Sequence, residues 1–233
     1  MRLSFTLSLI LSLALGSSVL AQPKLFINDA QYDFGTAPQG STIVNYFWFK
    51  SVGKDTARIL QLKTGCDCAT MPLPKKELAP GDSMLVGFFW ETQQKIGSSG
   101  KFPYVFVDGV EDPYRMNMQA LVILRPDSAV PLAFKPFKAE FTRMPSRSID
   151  SVGFILTNRG TDKLTLKVVS TVPPEYTYSL PDSLPPNGTA TGFVKVAPTA
   201  ADHEFKSSLT IEWTGADKQT GRVTLPIRRK FLG

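Results

Sequence analysis

Apolar residues recur along this chain in short runs that alternate with polar positions or stay apolar for two or three, and Gly, Pro, Asn and Asp separate the runs. The runs are rich in Val, Phe, Thr and Tyr, which marks them as strands with turn punctuation between them. In the first half the predicted strands are Lys24 to Phe34, Thr42 to Val52, Ala57 to Lys63, Ser83 to Glu91, Lys101 to Val107 and Tyr114 to Arg125. In the second they are Ile149 to Thr157, Lys163 to Ser170, Thr189 to Val196, Phe205 to Trp213 and Arg222 to Lys230. Beyond the N-terminal stretch, no segment carries a 3.6-residue apolar period.

The two halves share one plan. Gly53 in Ser-Val-Gly-Lys-Asp and Gly160 in Asn-Arg-Gly-Thr-Asp lie 107 residues apart, as do Gly81 in Ala-Pro-Gly-Asp-Ser and Gly188 in Pro-Asn-Gly-Thr. Two turns with one offset point to a duplicated domain. A sandwich of about seven strands and roughly 100 residues fits each copy. The expected fold is all-β, two tandem immunoglobulin-like β-sandwich domains, with a leader over 1–21, a first domain over 22–126 and a second over 127–233. Prolines in Arg125-Pro126-Asp127-Ser128-Ala129-Val130-Pro131 mark the joint.

Residues Met1 to Ala21 carry Arg2, the apolar run Leu7 to Leu15 and small residues ending at Ala21. This order reads as a secretory signal peptide, its apolar run short for a bilayer span. An exported protein of the periplasm, outer membrane or cell surface of a Gram-negative envelope is expected, with no transmembrane segment. Of 26 basic and 20 acidic residues the leader removes one, Arg2, which leaves 25 against 20. The excess gathers late in the chain, so Arg222, Arg228, Arg229 and Lys230 form a candidate basic patch for an acidic partner, lipid headgroups or anionic glycan, beside the plainer reading of a solvated surface. Export and the lack of a recognition motif argue against nucleic acid.

Adjacent aromatics in a strand point to opposite faces, and a sandwich buries one face. Phe47-Trp48-Phe49 and Phe88-Phe89-Trp90 must each turn at least one ring outward, onto the neighbouring domain or into a contact surface. Phe154, Phe193 and Trp213 are expected to help fill the second core. The strand Tyr114 to Arg125 is the candidate partner-binding edge, with Arg115, Met116, Met118, Ala120 and Val122 as its contact residues, since strand addition pairs a partner with an edge while alternate side chains enter shallow pockets.

The stretch from Asp33 to Val122 carries Tyr32-Asp33-Phe34-Gly35, then Val52-Gly53-Lys54, Thr64-Gly65-Cys66-Asp67-Cys68-Ala69 and Leu78-Ala79-Pro80-Gly81-Asp82. In these pieces it resembles a family of secreted Cys-x-Cys domains of unknown function in the ASH and major-sperm-protein group of immunoglobulin-like folds. Asp67 and Ala69 depart from the Gly and Thr usual there. The resemblance implies an envelope protein used for binding or assembly and carries over no chemistry. Two sandwiches, a signal peptide and a basic balance also resemble pilus-type periplasmic chaperones, which implies basic residues in the cleft, with Lys24 and Arg115 as candidates.

Cys66 and Cys68 are the only cysteines. In an extended strand their Cα atoms would lie roughly 6.5 Å apart, near the upper limit for a disulfide, and a turn would bring them closer. Three readings stand: a loop staple or a pair of small buried hydrophobes, a thiol redox site, or a soft-metal site of the Cu(I) kind. The single histidine, His203, lies in a turn-like segment, and Glu111-Asp112 sits in a hairpin loop, so no catalytic residue, metal site or cofactor is expected. Asp-(Ser/Thr)-aliphatic triplets place Thr56, Ser83, Ser128, Ser151 and Ser183 in a signal that some Gram-negative envelope proteins use for O-glycosylation; ordinary turn chemistry accounts for them equally. The expected function is non-enzymatic: a binding or scaffold protein that meets another envelope protein or glycan through sheet edges and exposed aromatics. The alternatives are a fibre-assembly chaperone and a thiol redox or copper-handling protein.

Overall fold

The computed structural model describes residues 22–232 other than 94, 95, 126 and 128. The expected leader and Ser128 lie outside them. The described chain is β throughout, apart from one 3-10 turn at Pro198–Ala200. In the first half, β1 (Leu25–Ile27), β3 (Thr42–Ser51), β7 (Ser83–Glu91) and β5 (Ala69–Thr70) form one sheet in that order, and β10 (Tyr114–Arg115), β9 (Tyr104–Val107), β4 (Ala57–Lys63) and β6 (Glu77–Leu78) form another. In the second half β12 (Leu132–Lys135), β15 (Ser151–Asn158), β19 (Thr189–Val196) and β17 (Tyr176–Ser179) form a third. The fourth belongs to both halves. It runs β18 (Ser183–Leu184), β16 (Leu164–Val168), β20 (Phe205–Thr214), β21 (Thr220–Phe231), β2 (Gln31–Pro38), β11 (Asn117–Ile123) and β8 (Gly97–Lys101), with β13 (Ala139–Met144) beside β21 and β14 (Arg147–Ile149) beside β13.

Two apolar cores result. Phe34, Phe47, Phe49, Phe88 and Trp90 fill the first, and Phe134, Phe141, Phe154, Leu209 and Ile227 the second. The period of two decides which aromatic is buried: Phe47 and Phe49 face inward, and Trp48 between them is 47% exposed. Phe89 turns away from the first core and meets Tyr46 edge-on at 6.2 Å. Phe193 departs from expectation. It lies exposed over Gly153, its cross-strand partner, covering a glycine rather than filling the core.

The duplication is visible in matched hydrogen bonds. Val52 donates to the Lys24 carbonyl as Arg159 does to that of Pro131, and Leu25 pairs with Ser51 as Leu132 does with Asn158, all 107 residues apart. At the other turn the correspondence slips by one. Asp82 donates to Ala79 and Gly188 to Pro185, so Gly188 matches Asp82, and the left-handed positions are Gly81 (φ 85°) and Asn187 (φ 54°). Asn can occupy that region, which lets the second copy place its glycine one residue later.

The halves join through β2. Opposite Gln119 and Leu121 of β11, β2 carries one extra residue between Asp33 and Thr36, a bulge with Gly35 at φ 63°. The Asp33 Oδ1 accepts from the Gly35 amide at 2.7 Å. Past the bulge Thr36 pairs in parallel with Val223 of β21. Tyr32, Phe34 and Ala37 enter the first core while Val223 enters the second, so the two cores lie on opposite faces of the shared sheet.

The strand β1 covers only the last three residues of β3 and Asn28 bonds Trp48, which leaves residues 42–47 of β3 without a strand partner on that side. Hydroxyls from β20 and β21 close the gap: Ser208 Oγ accepts from the Val44 amide at 2.9 Å, and Thr224 Oγ1 donates to the Phe34 carbonyl at 2.6 Å. The Asn45 Oδ1 accepts from the Thr171 amide at 3.0 Å. Ser207, Ser208, Thr210 and Thr224 are all buried there, and Thr210 and Thr224 bond each other at 2.9 Å.

One expectation fails here. The strand proposed as a partner-binding edge, β11, is interior, paired in parallel with β2 and antiparallel with β8. Met116, Met118, Ala120 and Val122 are buried in the first core, and Arg115 is exposed on β10. Alternation identifies which face of a strand is buried and does not reveal whether an in-plane neighbour exists.

Tyr32 is buried and Tyr46 half-buried beside the seam, and burial pushes each phenol up to about 12; at Tyr46 the Glu175 carboxylate adds to the effect. The ordinary value is near 10. Between these values the unfolded chain releases protons that the folded chain keeps, so their stabilisation is complete below about pH 10 and lost as pH rises toward 12. The unfolding free energy from urea titration should fall steeply across that window, by up to about 1.4 kcal/mol per pH unit for each tyrosine. A flat profile would show that neither phenol is sequestered.

Candidate functional site

Most edge strands of the described sheets are two to four residues long, a common protection against stray pairing. The exception is β8, five residues reading Gly97-Ser98-Ser99-Gly100-Lys101, which ends the shared sheet and pairs only with β11. Its small side chains leave the outward row of backbone groups open to approach. Ile96 before it and Phe102 after it are exposed, Phe102 at 42%, and the Arg115 guanidinium stacks on the Phe102 ring at 4.8 Å. Gly and Ser are poor strand formers, so the sequence pattern misses this element.

Beside β8 the shared sheet is hollowed. Two adjoining cavities of about 580 and 360 Å³ have Asp33, Gln119, Gly221 and Arg222 in common. Ser98, Gly100 and Phe102 line one side, Val130 and Trp213 the other, and Leu121, 44% exposed, lies between. Three features set this shape. The β2 bulge brings β21 against Gly35, where a Cβ would stand 2.0 Å from the Arg222 carbonyl oxygen. Trp213 sits on its cross-strand partner Gly221, where a Cβ would come within 2.4 Å of the indole. Arg222 is tied down by Glu212 at 2.8 Å and donates to the Asp33 carbonyl at 3.1 Å.

Cys66 and Cys68 are joined in a disulfide with Cα atoms 5.2 Å apart, brought together by a turn with Gly65 at φ 82°. The Thr64 hydroxyl donates to the Ala69 carbonyl at 2.8 Å and closes the loop. Both cysteines are half-buried against the first core. The Cys68 carbonyl accepts from the Glu91 amide. The Glu91 carboxylate in turn binds Lys206 of the second half at 2.8 Å and Thr42 at 2.7 Å. Burial tends to raise this carboxyl, but the Lys206 and Thr42 hydrogen bonds outweigh it and hold it below the usual range. Among the described residues no group of three or more His, Cys, Asp or Glu is arranged to hold a metal ion.

The basic patch is not assembled. Arg229 is 2% exposed and ion-paired with Asp150 at 2.6 Å, a contact that, with Ser148, holds the Asp150 carboxyl low. Arg222 is spent on Glu212, Lys230 stands 3.5 Å from Glu140, and Arg228 alone of the four is exposed. Successive residues of β21 face opposite ways, which divides the cluster. Neither Lys24 nor Arg115 lines the two cavities: the Lys24 carbonyl holds the Val52–Gly53 turn, and Arg115 lies over Phe102. Thr56, Ser83 and Ser151 are exposed and Ser183 half-buried, each just before or at the start of a strand whose next residue, Ala57, Met84, Val152 or Leu184, turns inward. His203 is exposed and touches Phe205.

Residues 25–122 match a family described as a protein of unknown function (DUF1573), a span that contains the Cys66–Cys68 loop and the Ala79-Pro80-Gly81-Asp82 turn. No curated protein matches the sequence. Among solved structures, a protein of unknown function from Porphyromonas gingivalis is 8% identical over 88% of this chain and 99% of its own, with a TM-score of 0.35. The ASH/PapD-like domain 7 of human CEP192 is 16% identical over 48% of this chain and 95% of its own, with a TM-score of 0.32. The periplasmic chaperone SfaE is 13% identical over 90% and 100%, also at 0.32. At these scores none of the three carries an argument about this chain.

Two glycines test the joint. Gly35 and Gly40 have nearly the same φ, 63° and 61°, but a Cβ at Gly40 meets nothing within 4 Å. Gly40→Ala should lower stability by about 1 kcal/mol, the backbone term alone, and Gly35→Ala by at least about 3 kcal/mol because β21 must also move. Equal losses in urea unfolding would show that the bulge does not hold the halves together.

Proposed function

We propose that the chain is an exported, non-enzymatic binding protein of the cell envelope that takes up an extended segment of a partner protein along the open edge of β8. The observation that carries this reading is the edge: five residues at the end of a sheet shared by both halves, the first four of them glycine or serine, flanked by the exposed Ile96 and Phe102. A partner strand laid there would gain main-chain hydrogen bonds along its length and apolar contacts at both ends. The rest of the shared sheet stands behind β8 as a rigid support, so docking demands little reorganisation.

In this reading the two sandwiches are the units 22–126 and 127–233, and the disulfide holds the Cys66–Cys68 loop onto the first core rather than exchanging electrons or holding copper. Thr56, Ser83 and Ser151 are the triplet residues best exposed for glycan attachment, and the intact mass of the secreted protein reads any such addition directly.

A photo-crosslinking residue at Ser98 should capture a partner in the producing cell, and the same residue at the exposed Thr56 should not. Of Ser98→Pro and Ser99→Pro, the one whose amide faces away from β11 should abolish capture while the melting temperature stays within a few degrees of the parent. Equal capture from both positions, or capture that survives both prolines, would remove the β8 edge from consideration.

A further inference from the structure

We infer that the double hollow beside β8 is a second binding site, for a neutral glycan. Its floor is the face of β2 and β11, where backbone groups are taken up by the ladder or, at the bulge, by the side chains of Asp33, Arg222 and Thr224, so a ligand meets chiefly side chains. Those side chains form a registered array. Gln31 pairs across the strands with Asn117, and Asp33 with Gln119. Members of a row are about 6.7 Å apart along a strand, and the rows lie about 4.8 Å apart.

The side-chain amides of Gln31 and Gln119 are exposed and make no hydrogen bond among the described residues, whereas the Asn117 Oδ1 is enclosed and lies out of a ligand's reach. A primary amide places a donor and an acceptor side by side. Adjacent sugar hydroxyls are each both donor and acceptor, so they can satisfy such a group on both counts. An extended peptide uses its hydrogen-bonding groups along a strand edge, which a sheet face does not provide.

The walls suit the same ligand. Trp213 and Phe102 face the cavity from opposite sides and offer apolar surfaces to the C–H faces of a sugar ring. The cavities fall within the range of small-molecule sites. The charges exclude an acidic ligand. Arg222, the one cation in the combined lining, is neutralised by Glu212, while the Asp33 carboxylate has only the Gly35 amide, so the lining is net negative. This assignment does not depend on partner capture at β8: Ser98 and Phe102 border both surfaces, but the amides that a glycan would engage, Gln31 and Gln119, lie on β2 and β11.

The test uses the purified mature chain, isothermal titration and a panel of neutral oligosaccharides built from glucose, mannose, galactose and N-acetylglucosamine, with oligogalacturonate as the acidic comparison. At least one neutral oligosaccharide should bind saturably and change tryptophan fluorescence. Gln119→Ala and Gln31→Ala, both at exposed positions, should each weaken it by about tenfold without shifting the melting temperature. Failure of every neutral oligosaccharide to bind, tighter binding of oligogalacturonate, or affinity unchanged in both variants would overturn the assignment. The Ser98 crosslink is read separately, so loss of one result leaves the other standing.

Discussion

The structure depends on how the first sandwich closes its strand edges. The Val44 amide on β3 and the carbonyl of Phe34 on β2 face away from their own half's strand partners. Left buried and unpaired, each would cost about 1–3 kcal/mol. The second sandwich answers both with hydroxyls, Ser208 and Thr224, and that requirement accounts for buried serine and threonine along the seam. Polar residues are retained there because they complete another element's hydrogen bonding.

From that closure follows the rest of the arrangement. Extending β2 sideways into β21 makes one sheet of both halves, places the cores on its two faces and leaves β8 as its far end. The same step bends the sheet at the Gly35 bulge, and the hollow opens on the side away from the first core. The polar hollow is therefore an outcome of the joint, while the β8 edge belongs to the first sandwich and gains from the joint only the sheet behind it.

Much of the fold is legible in the sequence, because burial of one face imposes a period of two: Phe47-Trp48-Phe49 announces its own orientation. The duplication is legible from its glycines, but Gly188 misaligns by one residue because Asn187 takes over the left-handed position. What escapes is everything set by partners distant in the chain. Arg229 reads as surface charge until Asp150, 79 residues earlier, is found beside it. Met118 and Val122 read as an edge because nothing in Gly-Ser-Ser-Gly announces the strand that covers them. Gln31 and Asn117, 86 residues apart, become neighbours only through parallel pairing that no local pattern encodes.

The glycine of Tyr32-Asp33-Phe34-Gly35 meets, across the joint, the main-chain carbonyl and the Cβ of Arg222, atoms that every residue except glycine carries. A socket of that kind is indifferent to the spelling of what plugs into it. Modules of quite different composition can be fastened to the first sandwich, provided each brings a strand that runs alongside β2 and a hydroxyl to match the Phe34 carbonyl.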